Sequence, residues 1–457
     1  MTHTHDLHTR DLEPVIARLN DLPADALRAE LAEFHPADLG QLLAELPASD
    51  AARWLSLLPR QDQADAFGYL PLECQAAVAE SLDRNALIGI VGAMSHDERA
   101  DLYNLLPEDR RERLLPALAQ AEREDIRKLA AYAEGTVGAV MTSDYATLSA
   151  QMTAAEAIDA LRRAAPDRET IYDAYVIDAA RRLIGVVSLR DLILAPADAR
   201  LEQFMTTEVI FARAEEPQEE AARRIARYDL RALPVINGGD MLAGIVTQDD
   251  AMDVAEEEAT EDFHKVGAST RLLGGLRRAG VMALYRARIP WLVVLVFGNL
   301  FSGAAIAAYE DTIAAYISLV FFLPLLIDSG GNAGSQSATL MVRALATGDV
   351  RLRDWSSMLG REVMIAAMLG ATMALAVSTI GYVRAGPDVA LVVSLSMVII
   401  VIVGSLIGMT LPFILTRLKL DPATASAPLI TSIADATGVL IYFAMATSLL
   451  PGLIEAG

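Results

Sequence analysis

The sequence is poor in cysteine and histidine. It contains a single cysteine, Cys74, so no disulfide can form within the chain, which is the usual condition of proteins in a reducing compartment. All six histidines precede residue 265, and no Cys/His group has the spacing of zinc ligands. Residues 265–457 therefore hold neither a histidine nor a His-Glu-x-x-His motif. This argues against an intramembrane metalloprotease, and we expect no enzymatic activity.

Basic residues are scarce in the first 270 positions, which hold 50 acidic residues against 26 Arg and Lys. The remaining positions hold 10 acidic residues against 12 basic ones. An acidic half of this kind repels nucleic acid and attracts metal cations, so we expect no nucleic-acid partner. An ordinary solvated surface explains the charge equally well.

Charged residues are also absent from long parts of residues 271–457. Five runs are largely apolar: 289–309, 312–345, 363–383, 389–415 and 423–450. Because about 20 apolar residues match the hydrocarbon thickness of a bilayer, five transmembrane helices are predicted, with the lipid bilayer as partner.

The loops between these runs predict an orientation. Arg and Lys concentrate in the loops at 343–361 and 417–419, which therefore belong on the cytoplasmic side. The N-terminus is polar and acidic, without an apolar signal region. We expect a multi-pass protein of the inner (cytoplasmic) membrane, with its N-terminus in the cytoplasm and its C-terminus outside.

Two kinds of repeat fill most of the first 270 residues, the acidic part of the chain. Leu-Pro pairs recur about every 12 residues between 20 and 117, and proline is tolerated in the first turn of a helix, so a stack of short helices is predicted. On one of these helices Asp97 and Asp101 share a face, although helix capping explains Asp97 as well. The segments 185–191 and 244–250 then share a Gly-apolar-apolar-Ser/Thr-x-x-Asp pattern that resembles a pair of CBS domains.

An acidic segment joins the soluble half to the apolar one. Residues 249–262 hold eight carboxylates, and helical periodicity places Asp250, Asp253 and Glu257 on one side. A solvated linker helix is the simple interpretation, but so dense a cluster repels itself unless cations are bound.

Polar residues inside the apolar runs are the strongest sign of function. Asp435 lies within a predicted span, where a carboxylate costs roughly 2.5–3.5 kcal/mol and usually faces an ion, a partner or a cavity. Asp328, Asn332 and Gln336 recur every four residues and form one polar stripe. The glycines among them permit a broken helix lining a pore, or close packing. Their oxygen ligands suit hydrated Mg²⁺.

The order of these parts resembles the MgtE family of magnesium channels, most specifically at 324–336 (Gly-Gly-Asn-Ala-Gly-x-Gln), at 428–438 (Ala-Asp-x-Thr-Gly) and at 258–262 (Glu-Ala-Thr-Glu-Asp). The implied fold is multidomain: an α-solenoid N domain, an α+β CBS-domain pair, a long linker helix and an all-α transmembrane domain of five helices. The corresponding ranges are 1–134, 135–199, 200–255, 256–283 and 284–457.

The resemblance also implies sites. It makes the protein a homodimer with a central pore, in which Asp435 binds the permeating ion and the linker helix acts as a plug. Ten acids would bind regulatory Mg²⁺: Asp65, Asp97, Asp101, Glu219, Asp229, Asp250, Asp253, Glu258, Glu261 and Asp262. ATP would bind the CBS pair at Asp191 and Asp250.

The expected function is a magnesium-selective channel that imports Mg²⁺ and is closed by cytoplasmic Mg²⁺. A proton- or sodium-coupled divalent cation transporter is the main alternative. A metal sensor without transport is a further one, but it leaves Asp435 and the polar stripe unexplained.

Overall fold

The computed structural model describes residues 12–165, 169–267 and 280–450. The chain divides into two compact units, unit 1 (Met1–Glu258) and unit 2 (Ala259–Gly457). The predicted linker, 256–283, crosses this division, and its residues 268–279 lie outside the described ranges.

Short helices build the first part of unit 1, and several of them pack on the next but one. They are α1 (Glu13–Asn20), α2 (Ala24–Leu31), α3 (Pro36–Ala44), α4 (Ala48–Leu55), α5 (Arg60–Gly68), α6 (Leu72–Ser81), α7 (Arg84–Ala93), α8 (His96–Leu105), α9 (Glu108–Leu114) and α10 (Gln120–Leu129). Contacts of α3 with α5, α4 with α6 and α5 with α7 bury one core that includes Trp54 and Phe67. The predicted helical stack is confirmed.

The sequence predicts the repeated prolines within the first turn of each helix, but they lie one position before it. Pro23, Pro47, Pro59, Pro71 and Pro107 are N-cap residues with extended backbone. Each proline therefore ends a loop, and the helix starts at the residue after it. The regular spacing of the prolines therefore reflects a loop that recurs between successive helices.

Two three-stranded sheets form the second part of unit 1, in the orders β1-β2-β3 and β4-β5-β6. Each pairs its first two strands in parallel and its last two antiparallel. The strands are β1 (Thr147–Ser149), β2 (Asp173–Ile177), β3 (Leu183–Ser188), β4 (Ala212–Arg213), β5 (Ala232–Ile236) and β6 (Leu242–Thr247). The helices are α11 (Ala154–Ala164), α12 (Leu189–Leu194), α13 (Gln218–Tyr228) and α14 (Gln248–Val266).

Two Met-Thr pairs, Met141-Thr142 and Met205-Thr206, join the two sheets. Thr142 bridges to Ile245 in β6, and Thr206 bridges to Val186 in β3, so each pair joins the last strand of the other copy. A Cβ on Gly244 would lie 2.7 Å from the Met141 sulfur. The glycine in each Gly-apolar-apolar pattern is thus required by this crossed contact.

Helix α14 starts eight residues before the predicted linker. The Thr247 hydroxyl contacts the carboxylates of Asp249 and Asp250 at the helix start, and the backbone N–H of Thr247 donates to Asp250 (3.3 Å). These hydrogen bonds stabilise the first turn of the helix at Gln248. The acidic residues therefore lie on a helix that begins directly after the last strand of the second CBS-like domain.

Unit 2 contains long apolar helices: α15 (Val281–Ala307), α17 (Ser318–Ala346), α18 (Trp355–Arg417) and α19 (Ala427–Leu449), with the short α16 (Glu310–Ala315) between the first two. Gly386, with φ 87°, interrupts α18. Its halves, α18a (355–385) and α18b (387–417), run back along each other, since a Cβ on Gly370 would lie 2.9 Å from the Cα of Val398.

By length and apolarity, α15, α18 and α19 qualify as membrane spans among the described helices. Because α18 has two antiparallel halves and α17 is 29 residues long, five long segments are present in the described part of unit 2. A count of five membrane crossings stays a prediction. The second segment begins at Ser318 and not near Thr312, which lies in α16.

Of the two roles that the sequence leaves open for the glycines of the second segment, a broken helix is not observed: α17 is one helix through the glycine-rich stretch. A Cβ on Gly404 of α18b would overlap the carbonyl oxygen of Gly330, and a Cβ on Gly408 would overlap the carbonyl oxygen of Gly334. The glycines therefore serve close helix packing, the other role expected of them.

Candidate ion-binding sites

Asp435 lies on α19 where that helix faces α17. A Cβ on Gly331 of α17 would lie 2.9 Å from Thr431 Cγ2 and 3.5 Å from Asp435 Oδ1, so only glycine leaves room for these side chains. Asp435 Oδ1 is buried and has no hydrogen-bond partner in the described part of the chain. A buried carboxylate oxygen of this kind is costly unless a cation or proton satisfies it.

The polar stripe lies on an exposed face of α17. Asp328, Asn332 and Gln336 are exposed, while the intervening glycines are buried against neighbouring helices. The Asp328 carboxylate is close enough to interact electrostatically with Asp435. The structure thus brings Asp328 and Asp435 together and leaves the stripe open along one side of the helix.

In unit 1 the predicted regulatory acids Asp97, Asp101 and Asp250 converge. Asp97 and Asp101 lie in α8, and Asp250 lies in the first turn of α14. Burial, followed by the charges of Asp97, Glu257 and Asp250, raises the pKa of Asp101 to about 7. Burial and neighbouring carboxylates also raise the pKa of Asp97 and of Asp250. We call this group, with the two residues described next, the acid cluster.

Glu98 and Glu169 belong to the acid cluster, although neither was predicted. Burial, opposed by Ser95 and reinforced by the charge of Asp250, raises the pKa of Glu98. Glu169, exposed at the rim ahead of β2, has its pKa raised to about 7 by desolvation and then by Asp250 and Asp249. Glu98 could have been suspected from its place beside Asp97. Glu169 carries no local signal, because only the chain topology brings it there.

A histidine joins the same helix to the first CBS-like domain. His96 Nδ1 lies 2.8 Å from Asp125 and 2.6 Å from the Ser143 hydroxyl, and Nε2 lies 3.0 Å from Asp144. Burial alone would lower the pKa of His96, but Asp125 and Asp144 raise it to about 9. His96 is therefore a cation next to the acid cluster, holding α8 between α10 and the segment before β1.

Five further predicted acids in unit 1 are more scattered. Asp253 lies on α14 with its pKa raised by burial and by the charges of Asp249 and Glu256. Glu219 pairs with Arg223 (2.5 Å), while Glu258 accepts from Gln218 (2.9 Å). Asp229 is the exposed C-cap of α13 in the left-handed conformation, and Asp65 is exposed and accepts from Gln61 (2.9 Å).

The last two predicted acids fall in unit 2. Glu261 pairs with Lys265, and Asp262 is half-buried. Across the described ranges of both units, no three His, Cys, Asp or Glu side chains converge closely enough to enclose a metal ion as they stand.

The two candidate nucleotide residues have different surroundings. Asp191 is exposed and accepts a hydrogen bond from Ser188 (2.6 Å), whose hydroxyl also caps α12. The exposed Tyr172 lies nearby, beneath the Arg231 guanidinium at 5.3 Å. Asp250 belongs instead to the acid cluster. The surroundings of Asp191 therefore combine an open carboxylate and an aromatic ring from the first CBS-like domain with a cation, Arg231, from the second.

Family models match three parts of the chain. A model described as the MgtE intracellular N domain matches 34–135, the CBS domain model matches 137–198 and 201–257, and the model of the MgtE divalent cation transporter matches 323–445.

Known proteins extend the match to most of the chain. The magnesium transporter MgtE of Thermus thermophilus is 43% identical over 326 residues, 71% of this chain and 72% of that protein. The magnesium transporter MgtE of Bacillus subtilis is 36% identical over 329 residues, 72% of each.

Two solved structures resemble the soluble part. One is the crystal structure of the cytosolic domain of the Mg²⁺ channel MgtE in complex with ATP, with TM-score 0.50 and 39% identity, covering 52% of this chain and 97% of that one. The other is the soluble part of a magnesium transporter, with TM-score 0.50 and 30% identity, covering 55% and 100%. The predicted fold class, a helical N domain, a CBS-domain pair and a helical C-terminal region, is confirmed, while the count of five membrane helices stays a prediction.

Proposed function

The chain belongs to the MgtE family of divalent cation transporters, and from this premise we propose that it is a magnesium channel of the cytoplasmic membrane, closed by cytoplasmic Mg²⁺. Magnesium transport follows from the family. The channel mechanism, the direction of flux and the gating are the proposal, which places unit 1 in the cytoplasm and the C-terminus outside.

The unsatisfied carboxylate of Asp435 carries the proposal for the pore. Its Oδ1 atom is buried without a partner among the described residues, next to a glycine that leaves space on α17. A hard divalent cation prefers such oxygen ligands and keeps part of its water shell. Asn332 and Gln336 offer amide oxygens farther along the same helix, with Asp328 adding a second charge.

The exposed stripe supports a homodimer. A row of polar side chains facing lipid is unfavourable, whereas a second copy of the chain placed against it would enclose a polar pathway. Two copies of Asp435 would then share one permeating ion.

The acid cluster supports the gating. Several carboxylates with raised pKa values lie where α8, the loop before β2 and α14 meet within unit 1. Mg²⁺ would relieve their repulsion and so favour this compact arrangement over one in which the acids separate. The other predicted acids on α14, namely Asp253, Glu258, Glu261 and Asp262, extend the negative surface along that helix. ATP binding at Asp191 belongs to this proposal as a modulator.

Conduction by Asp435 variants tests the pore. In reconstituted protein with Mg²⁺ as the only permeant cation, Asp435→Ala should reduce the current at least about tenfold, since it removes the charge that binds the ion. Asp388→Ala, at an exposed position at the start of α18b, is the matched control and should conduct normally. Wild-type current in Asp435→Ala would contradict the assignment, and flux that needs a proton or sodium gradient would indicate a coupled transporter.

A further inference from the structure

The end of α14 is attached to the loop that leads into α19. Lys265 Nζ lies 2.5 Å from Asp421 Oδ2 and also pairs with Glu261, one turn earlier on the same helix. About a third of each side chain of the Lys265–Asp421 pair is exposed. Partial burial of this kind makes an ion pair less screened by salt than a fully exposed one.

Asp421 is held in place for this contact. Its other oxygen, Oδ1, accepts the backbone N–H of Ala423 (2.8 Å) and so caps the short turn Pro422–Thr424. One carboxylate therefore shapes the loop with one oxygen and binds Lys265 with the other.

Val266 adds an apolar contact beside the ion pair. It packs against a small core formed by Ala338 and Val342 of α17, Ala423 and Ala425 of the loop, and Ile430 of α19, next to Leu411 and Leu415 of α18b. Three membrane helices and the loop thus meet at the last turn of α14.

We propose that Lys265 and Asp421 form a latch that ties the end of α14 to the 418–426 loop and thereby couples α14 to the helix carrying Asp435. Lys265 is a positioning residue in this scheme and touches no permeating ion. The effect on gating rests on the proposed function, whereas the latch itself does not.

Hydrogen exchange of residues 259–267 in the full-length protein tests the latch directly. Lys265→Gln and Asp421→Asn should each accelerate exchange, and Asp421→Asn keeps an oxygen to cap the turn. In a double-mutant cycle the combined variant should exchange no faster than Lys265→Gln alone, because that change already removes the contact with Asp421 as well as the pair with Glu261. Lys419→Gln, which removes an exposed charge from the same loop, should leave exchange unchanged.

Equal exchange in the wild type and in both single variants would overturn the latch, and so would additive effects in the double variant. The same variants should raise the Mg²⁺ concentration that half-inhibits the current by about two- to fivefold, the range expected of a partly exposed pair. Faster exchange with an unchanged inhibition midpoint would overturn the coupling. If the wild type showed no Mg²⁺-inhibited current, the proposed function would fail while the exchange data still decided the latch.

Discussion

Glu169 is the single residue whose role depends most on the folded chain. It lies outside every acidic motif in the sequence, yet its carboxylate adds to the negative potential around Asp250. Glu169→Gln should weaken Mg²⁺ binding to the full-length protein about two- to fivefold, because one attracting charge is lost from the rim of the cluster.

Calorimetric titration with Mg²⁺ measures this change. Glu208→Gln is the matched control, since Glu208 is exposed in the same unit and lies outside the acid cluster. Identical binding curves for Glu169→Gln and the control would mean that Glu169 is only a solvated surface charge.

Residue identity alone predicted those acids that stand in dense or regularly spaced groups. The spacing of Asp97 and Asp101 put them on one helical face, but their regulatory role came from the family resemblance, whereas Asp435 stood out because a carboxylate is rare in an apolar run. Glu169 could not be found this way, since its neighbours come from α8 and α14, far away in sequence. Asp229 was assigned from the resemblance, and the structure places it at an exposed helix end.

At the scale of helices, the glycines of α17 and α18b determine how closely the two helices approach. Gly408→Ala should destabilise unit 2 by about 1–3 kcal/mol or more, because its Cβ would meet the backbone of Gly334 and neither helix can yield locally. Gly303→Ala in α15 is the control: a Cβ there meets nothing within 4 Å, and the added helix propensity is worth up to about 1 kcal/mol.

Thermal unfolding in detergent compares the two variants. A melting temperature of Gly408→Ala equal to that of Gly303→Ala would show that the close approach is not needed for stability.

The helices themselves were largely predictable, because long uncharged runs and recurring Leu-Pro pairs are strong local signals. The continuity of α17 was not. A glycine-rich stretch in a sequence is compatible with irregular backbone and with close packing, and the choice depends on whether a neighbouring helix offers matching glycines. Gly404 and Gly408 provide that match about 75 residues away, a pairing that no local pattern reveals.

At the scale of the whole molecule, the excess of acidic residues lies in unit 1 and makes the stability of that unit depend on pH. Burial and mutual repulsion raise the pKa of Asp101 to about 7, and raise the pKa of Asp97 and Asp250, from about 4 in an unfolded chain. Between about pH 4 and 7 the folded state therefore binds more protons than the unfolded state. The free energy of unfolding must then fall as the pH rises through this window.

Two other groups affect whether the free energy of unfolding rises or falls with pH. His96, with its pKa raised to about 9, also contributes stability that is lost as the pH rises, from about 6.5 upward. Burial alone would raise the pKa of Asp125, but hydrogen bonds with His96 and Ser143 together lower it, so Asp125 acts in the opposite sense, and only below about pH 4. Neither reverses the trend between pH 5 and 8.

Scanning calorimetry of the full-length protein without divalent ions should therefore show unit 1 melting at a lower temperature at pH 8 than at pH 5. Each kcal/mol lost corresponds to about 2–4 °C in a domain of this size. Added Mg²⁺ should raise the melting temperature more at pH 8, where the carboxylates are ionised and can bind it. Asp101→Asn should reduce both effects, and Glu208→Gln should leave them intact. A melting temperature that rises from pH 5 to pH 8 without Mg²⁺ would mean that the acids do not repel one another in the folded unit, and the electrostatic basis of the proposed gating would be lost.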